Sequence, residues 1–171
     1  MLVEIERKFL ITSGTWRAGV RKTWHITDHL IAKFELGKAR IRICEGEAML
    51  TFKGQRSGCK RSEYHIPLDD QHARAMIADF STAPAIEKNR HDVEVAGLVW
   101  QVDEYLGPLA GFVTADVELL REDHPLVLPT WAGREITSDA RFGSAALVTA
   151  AHQGGGTVAR LLKAAASSSS V

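Results

Sequence analysis

Cysteine is scarce in this chain: Cys44 and Cys59 are the only two, and neither belongs to a CxxC pair. That argues against a disulfide framework and leaves two reduced thiols of a cytoplasmic protein as the expectation. Long apolar runs are also missing. No stretch approaches the roughly 20 residues of a membrane-spanning helix. The opening, MLVEIERKFL, carries charges where a signal peptide needs an apolar run. Neither sign of charge is in excess, because Lys+Arg is 21 and Asp+Glu is 21. Nucleic-acid and membrane-surface binders usually carry a basic surplus, so neither partner is expected. GGGT at 154–157 lacks the Lys-Ser/Thr of a P-loop. His25 and His29 lie four apart but lack the HExxH glutamate, and they sit in a β-branched segment. No internal repeat is present.

What remains is a chain of 171 residues, 45% hydrophobic and 25% charged, which suits a single soluble domain with a proper core. Alternation and β-formers predict strands at 2–11, 23–34, 38–46, 47–54 and 60–68, with 38–46 and 47–54 forming a hairpin. The period then changes. Ala73, Met76, Ile77 and Phe80 fall at helical spacing, and Asp69 or Asp70 can cap the start. Strands resume within 83–95, 97–107 and 111–120. The stretch 134–151 reads as helical in part, GGG at 154–156 as a hinge, 157–166 as a short helix, and SSSSV as a frayed tail. The expected class is α+β with a mainly antiparallel sheet. The expected division is a domain over 1–153 and a Gly/Ala/Ser-rich appendage over 154–171.

Period two also sorts the charges. Glu4, Glu6 and Lys8 share one face of the first strand. Arg40 shares a face with Arg42, Arg61 with Glu63, Lys88 with Arg90, and Asp116 with Glu118. An antiparallel sheet often has one wet face, which would account for any single pair. The distribution argues for more. Basic pairs occupy the middle strands and acidic pairs the first and last. A long sheet can close on itself, and if the charged face turns inward it makes a lumen of both signs. Removing ions from water costs several kcal/mol each without compensation, so such a lumen stays wet or holds something. The bases are Lys8, Arg40, Arg42, Lys53, Arg61, Lys88 and Arg90. The acids are Glu4, Glu6, Glu63, Asp103, Asp116 and Glu118. Arginine forks suit phosphate, and carboxylates suit hard divalent cations. A metal-bound polyphosphate needs both.

In this order the motifs resemble the CYTH superfamily, the triphosphate tunnel metalloenzymes. EIERKF is similar to the ExExK signature, RIRI to the paired-arginine strand and LTFKG to the lysine strand. KRSEYHIPL resembles the Arg-x-Glu strand, IEKNRH the Lys-x-Arg strand, WQVDEYLG the aspartate strand and ADVEL the closing acidic strand. The resemblance implies a closed antiparallel β-barrel tunnel of about eight strands with peripheral helices and a C-terminal helix. It implies that Glu4, Glu6, Asp116 and Glu118, helped by Asp103 or Glu63, carry Mg²⁺ or Mn²⁺. Arg40, Arg42, Lys53, Arg61, Lys88 and Arg90 would hold phosphate oxygens, with Lys8 near the reacting end. Lys8, Glu4, Glu6, Asp116 and Glu118 would form the catalytic set. One departure stands out: small bacterial members often carry a tyrosine where this chain has Leu30. That tyrosine can pair with the signature lysine.

The function implied is metal-dependent hydrolysis of inorganic triphosphate or a small organic triphosphate. The alternatives are an adenylyl cyclase acting on ATP and a non-catalytic polyphosphate-binding module. No segment announces a base and ribose pocket, which favours the hydrolase. A homodimer is compatible with the sequence, although no segment marks an interface. Arg160 or Lys163 could approach the phosphates if the terminal helix plugs a tunnel mouth.

Overall fold

In the computed structural model, which describes residues 3–166, nine strands and three helices follow one another along the chain. They are β1 (Val3–Ile11), β2 (Val20–Phe34), β3 (Gly37–Cys44), β4 (Glu47–Gly54) and β5 (Lys60–Leu68), then α1 (Asp70–Phe80). Next come β6 (Ile86–Val95), β7 (Leu98–Tyr105), β8 (Val113–Glu118), β9 (Ala132–Glu135), α2 (Ser144–Gln153) and α3 (Gly155–Ala166). The SSSSV tail lies outside the described residues.

The strands run in the order β5-β4-β3-β2-β6-β7-β8-β1, each antiparallel to its neighbour, and β1 returns to β5. Eight strands therefore close a barrel, which satisfies backbone groups that an open sheet would leave unpaired. Closure is shared along β1. Val3–Ile5 pair with β5 at Lys60–Ser62, while Phe9 and Ile11 pair with β9. The stretch 134–151 is helical in part, as expected, with α2 starting at Ser144; its first two residues instead complete the strand β9, which the sequence reading did not anticipate. That strand has four residues and pairs only with β1, too short a segment for alternation to show. Two hairpins turn through Glu45-Gly46 and Ala96-Gly97, with φ positive at both residues of each pair. That is the turn whose twist matches the flanking strands, and glycine makes it accessible.

Alternation divides inside from outside. On β1, Phe9 packs outward with Trp100, Val102, Val117 and Trp131. On β3 and β4, Ala39, Ile41, Ala48 and Leu50 face α1, which covers them with Ala73, Met76 and Ile77. Asp69 caps α1 by accepting from the His72 N–H at 2.9 Å. Phe80 leaves the predicted apolar stripe and stands 54% exposed. The third cluster closes one end of the barrel. Leu10, Ile86, Tyr105, Phe112 and Phe142 meet Leu147 and Val148 of α2 and Val158 and Leu161 of α3. Gly154, at φ +81°, ends α2, and α3 begins directly at Gly155. No helix among the described residues is long and apolar enough to cross a membrane.

Candidate active site

The inward residues of the strands, Arg56 from the β4–β5 loop and the start of α2 enclose one cavity of about 510 Å³. Its volume falls in the range of small-molecule sites. Nine basic side chains and seven carboxylates line it. Glu4, Glu6, Lys8, Arg40, Arg42, Lys53, Arg61, Glu63, Lys88, Arg90, Asp116 and Glu118 are all among the lining residues. Alternation brings them there from six strands, β1, β3, β4, β5, β6 and β8.

The ions neutralise one another in two groups. In the first, Asp28 on β2 accepts from Arg42 Nε at 2.8 Å, Arg42 Nη2 at 3.0 Å and Arg40 Nη1 at 3.0 Å. Asp103 accepts from Arg90 Nε at 2.7 Å and Nη2 at 2.8 Å, and from Lys88 Nζ at 2.5 Å. Arg90 also reaches Asp116 at 3.4 Å. Lys8 Nζ lies 2.7 Å from Asp116 Oδ1, an ion pair whose angles fall short of a hydrogen bond. In the second group, Lys53 Nζ sits 2.7 Å from Glu63 and 3.2 Å from Glu4. Arg61 Nε meets Glu4 at 2.5 Å, and Arg56 Nη2 meets Glu6 at 2.8 Å.

Three lining groups stand outside these pairings. Asp139 pairs instead with Arg134 and Arg141. Glu118 has no ion-pair partner among the described residues. Burial pushes its carboxyl up, and the charges of Glu4, Glu6 and Glu63 add to that. Lys38 has no carboxylate partner among the described residues; its Nζ donates to Ser144 Oγ. Burial brings its ammonium down to about 7, and Arg61, Lys53, Arg40 and Lys8 reinforce the shift. Glu6 behaves oppositely. Burial raises it, but Lys8, Lys53, Arg61 and Arg56 outweigh burial and hold it well below the usual carboxylate range.

The structure gives Asp103 a different place from the sequence expectation. It is 0% exposed and does not line the cavity. Both its oxygens are held by Arg90 and Lys88, so in this structure it orients bases from behind the cavity wall. Among the described residues, Arg160 and Lys163 do not line the cavity either; α2 rather than α3 reaches it. Leu30 does line it, as part of the apolar end wall with Ile86, Phe142 and Leu147. The cavity still has a tyrosine, Tyr105 on β7, which is buried and pushed up to about 12 chiefly by burial.

Sequence reasoning missed Asp28, Lys38, Arg56, Gln101, Tyr105 and Ser144 as lining residues. Lys38 was within reach, since it extends the Arg40–Arg42 face by one step of two. Asp28 shares its face with Ile26 and Leu30, so no charge pair announced it. Arg56 lies between strands, where no period applies.

The donor chemistry of Glu4, Glu6, Glu63, Asp116 and Glu118 is all carboxylate oxygen, which suits a hard divalent cation. Among the described residues no three His, Cys, Asp or Glu side chains are gathered tightly enough to hold a metal. Four of these five acids are turned toward Lys or Arg, and that is the reason. The raised Glu118 carboxyl marks where uncompensated negative charge collects.

The family model described as "CYTH domain" matches residues 2–148. An inorganic triphosphatase of Acetivibrio thermocellus is 32% identical over 146 residues, covering 85% of this chain and 92% of that protein. The crystal structure of the inorganic triphosphatase NE1496 is similar at 26% identity and a TM-score of 0.62, covering 86% of this chain and 95% of that one. A more distant fold likeness, at 15% identity and a TM-score of 0.51, is to HpAC1 from Hippeastrum, covering 69% of this chain and 80% of that one. HpAC1 is described as a putative adenylyl cyclase with dominant triphosphatase activity. With the barrel, the ionic lumen and the family match over most of its length, the chain belongs to the CYTH domain family.

Proposed function

We propose that this protein is a Mg²⁺- or Mn²⁺-dependent hydrolase of inorganic triphosphate. The observation that carries the reading is the cavity itself: one space inside the barrel lined by nine bases and seven acids, most of them held in internal ion pairs. A triphosphate with its cation replaces those internal pairs like for like. The anion takes over the bases, and the cation takes over the acids. Relatives that are inorganic triphosphatases support the same substrate class.

Phosphoryl transfer asks an enzyme mainly for position and charge stabilisation. Arg40, Arg42, Lys88 and Arg90 hold nonbridging oxygens from one wall, with Lys53 and Arg61 facing them. Asp28 and Asp103 fix the guanidinium planes before substrate arrives, so little reorganisation is left for the reaction itself. Lys8, released from Asp116, neutralises charge at the reacting end. Glu4, Glu6, Glu63, Asp116 and Glu118 would hold the divalent cation, which supplies charge neutralisation and a more acidic bound water. Water oxygen bonds to the terminal phosphorus, the bridging P–O bond breaks, and phosphate and pyrophosphate leave.

The test is phosphate release from tripolyphosphate with Mg²⁺ or Mn²⁺, run beside a panel of ATP and other triphosphates with product identification. Glu4→Ala and Lys8→Ala each reduce turnover by about 10²–10³-fold. Activity that survives chelation and both substitutions refutes the reading, and cyclic AMP from ATP as the main product replaces it with the cyclase.

A further inference from the structure

Eight of the nine cavity bases have a carboxylate within ion-pair distance; among the described residues Lys38 does not. It stands at the start of β3, one inward step beyond Arg40. It points to the end of the cavity that α2 closes, where its Nζ donates to the hydroxyl of Ser144. Ser144 opens α2. The preceding Gly143 offers no side-chain cap to the first-turn N–H groups, and both residues line the cavity. The packing of Leu147 and Val148 into the end-wall core seats this helix start against the barrel. A lysine with no carboxylate partner among the described residues, whose strongest charged neighbours are cations, is costly for a structural role, because like charges repel and burial adds to the penalty. An amine and a hydroxyl side by side, at the end of a cationic cradle, suit an incoming phosphoryl group.

We infer that Lys38 and Ser144 form the subsite for the third phosphoryl group of the substrate and set the preference for triphosphate over diphosphate. The inference rests on the triphosphatase reading. The central bases hold two phosphoryl groups, and the third reaches the amine and hydroxyl at the α2 end. Pyrophosphate satisfies the central arginines without extending to Lys38. The subsite is also conditional on charge. The charges that weigh most on the amine are Arg61 on β5, Lys53 on β4, Arg40 on β3 and Lys8 on β1, with Lys33 as its register partner on β2. From the α2 end Asp139 also lines the cavity, but its carboxylate is held by Arg141 and Arg134. The charges that weigh most are basic, so a bound anion draws a proton onto Lys38.

The experiment measures metal-free binding of tripolyphosphate and of pyrophosphate by calorimetry, in two buffers of different ionisation enthalpy, alongside thermal melts. In Lys38→Met, tripolyphosphate affinity falls about tenfold or more, the effect of losing a charge-assisted hydrogen bond, and pyrophosphate affinity changes less than about twofold. Proton uptake on tripolyphosphate binding falls in the same variant. Its ligand-free melting temperature rises, because an uncompensated cation has gone; a structural lysine would give a fall. Lys38→Arg restores most of the affinity, and Ser144→Ala costs about two- to fivefold. Equal losses for both ligands, or no loss for either, overturn the subsite. Because binding is read without turnover, this result is separate from whether tripolyphosphate is hydrolysed: a wild-type protein that binds it but releases no phosphate overturns the enzyme reading alone.

Discussion

Asp28→Asn isolates what the ligand-free cavity does for itself. The carboxylate is 8% exposed and compensates Arg40 and Arg42 through three hydrogen bonds, with Lys88 a further 3.8 Å away. Breaking a buried ion pair by removing one partner costs about 3–5 kcal/mol. The Arg40 and Arg42 side chains keep 14% and 19% exposure to the cavity, so water recovers part of the loss. The expected penalty is therefore near the lower end, about 3 kcal/mol. For a chain of this length that lowers the melting temperature by about 6–12 °C. Urea unfolding gives the same quantity from the midpoint, provided the slope is unchanged. Burial raises the Asp28 carboxyl, but Arg40, Arg42 and Lys88 pull it well below its ordinary value of 3.8. A depressed acid contributes stability above its unfolded value and loses it as pH falls through the folded one. The gap between wild type and variant is therefore full at neutral pH and closes only in acid, below about pH 4. Tripolyphosphate supplies the distinguishing arm. A ligand that binds only the folded state stabilises it by mass action. In the variant it also replaces the missing anion beside the arginines. Saturating metal-free tripolyphosphate closes at least half of the gap. A variant as stable as wild type, or a gap that ligand leaves untouched, refutes the claim that Asp28 supplies the negative charge that Arg40 and Arg42 need in the ligand-free cavity.

Other consequences can be read in the same assays. Glu118→Gln removes the unpaired carboxylate beside Glu4, Glu6 and Glu63, so the melting temperature rises while the Mg²⁺ concentration for half-maximal activity increases at least about tenfold. Arg90→Lys cannot reproduce the two-pronged hold on Asp103; it costs about 1.5–3 kcal/mol in urea unfolding and raises KM for tripolyphosphate. Leu147→Ala, at a residue 2% exposed between α2 and the barrel end, costs about 2–5 kcal/mol, which thermal and urea unfolding both report.

Why some of this was legible in the sequence and some was not follows from what a period can encode. A closed barrel with an ionic lumen forces charge onto every second residue of most strands, so the pairs Glu4–Glu6, Arg40–Arg42, Lys88–Arg90 and Asp116–Glu118 announced both the strands and their common side. The amphipathic spacing of α1 was visible for the same reason: Ala73, Met76 and Ile77 must meet the outer face of β3 and β4. Alternation assigns a side but not a depth. Asp103 and Asp116 are inward residues of adjacent strands, yet one is sealed behind Arg90 and Lys88 while the other lines the cavity. That difference arises from which longer side chain lies over each carboxylate, a fact of three-dimensional packing. Alternation is also blind where a functional residue breaks the pattern. Asp28 sits among apolar face-mates because the sheet there changes from charged wall to apolar end, with Leu30 already in the closing cluster. Arg56 comes from a loop, and Ser144 from a helix that closes the barrel end. The strand pattern thus specifies the chamber walls, while the contacts that orient their charges and close one end come from single residues whose partners are distant in the chain. Those are the positions where substitutions separate binding from stability, because each faces the cavity on one side and the packed shell on the other.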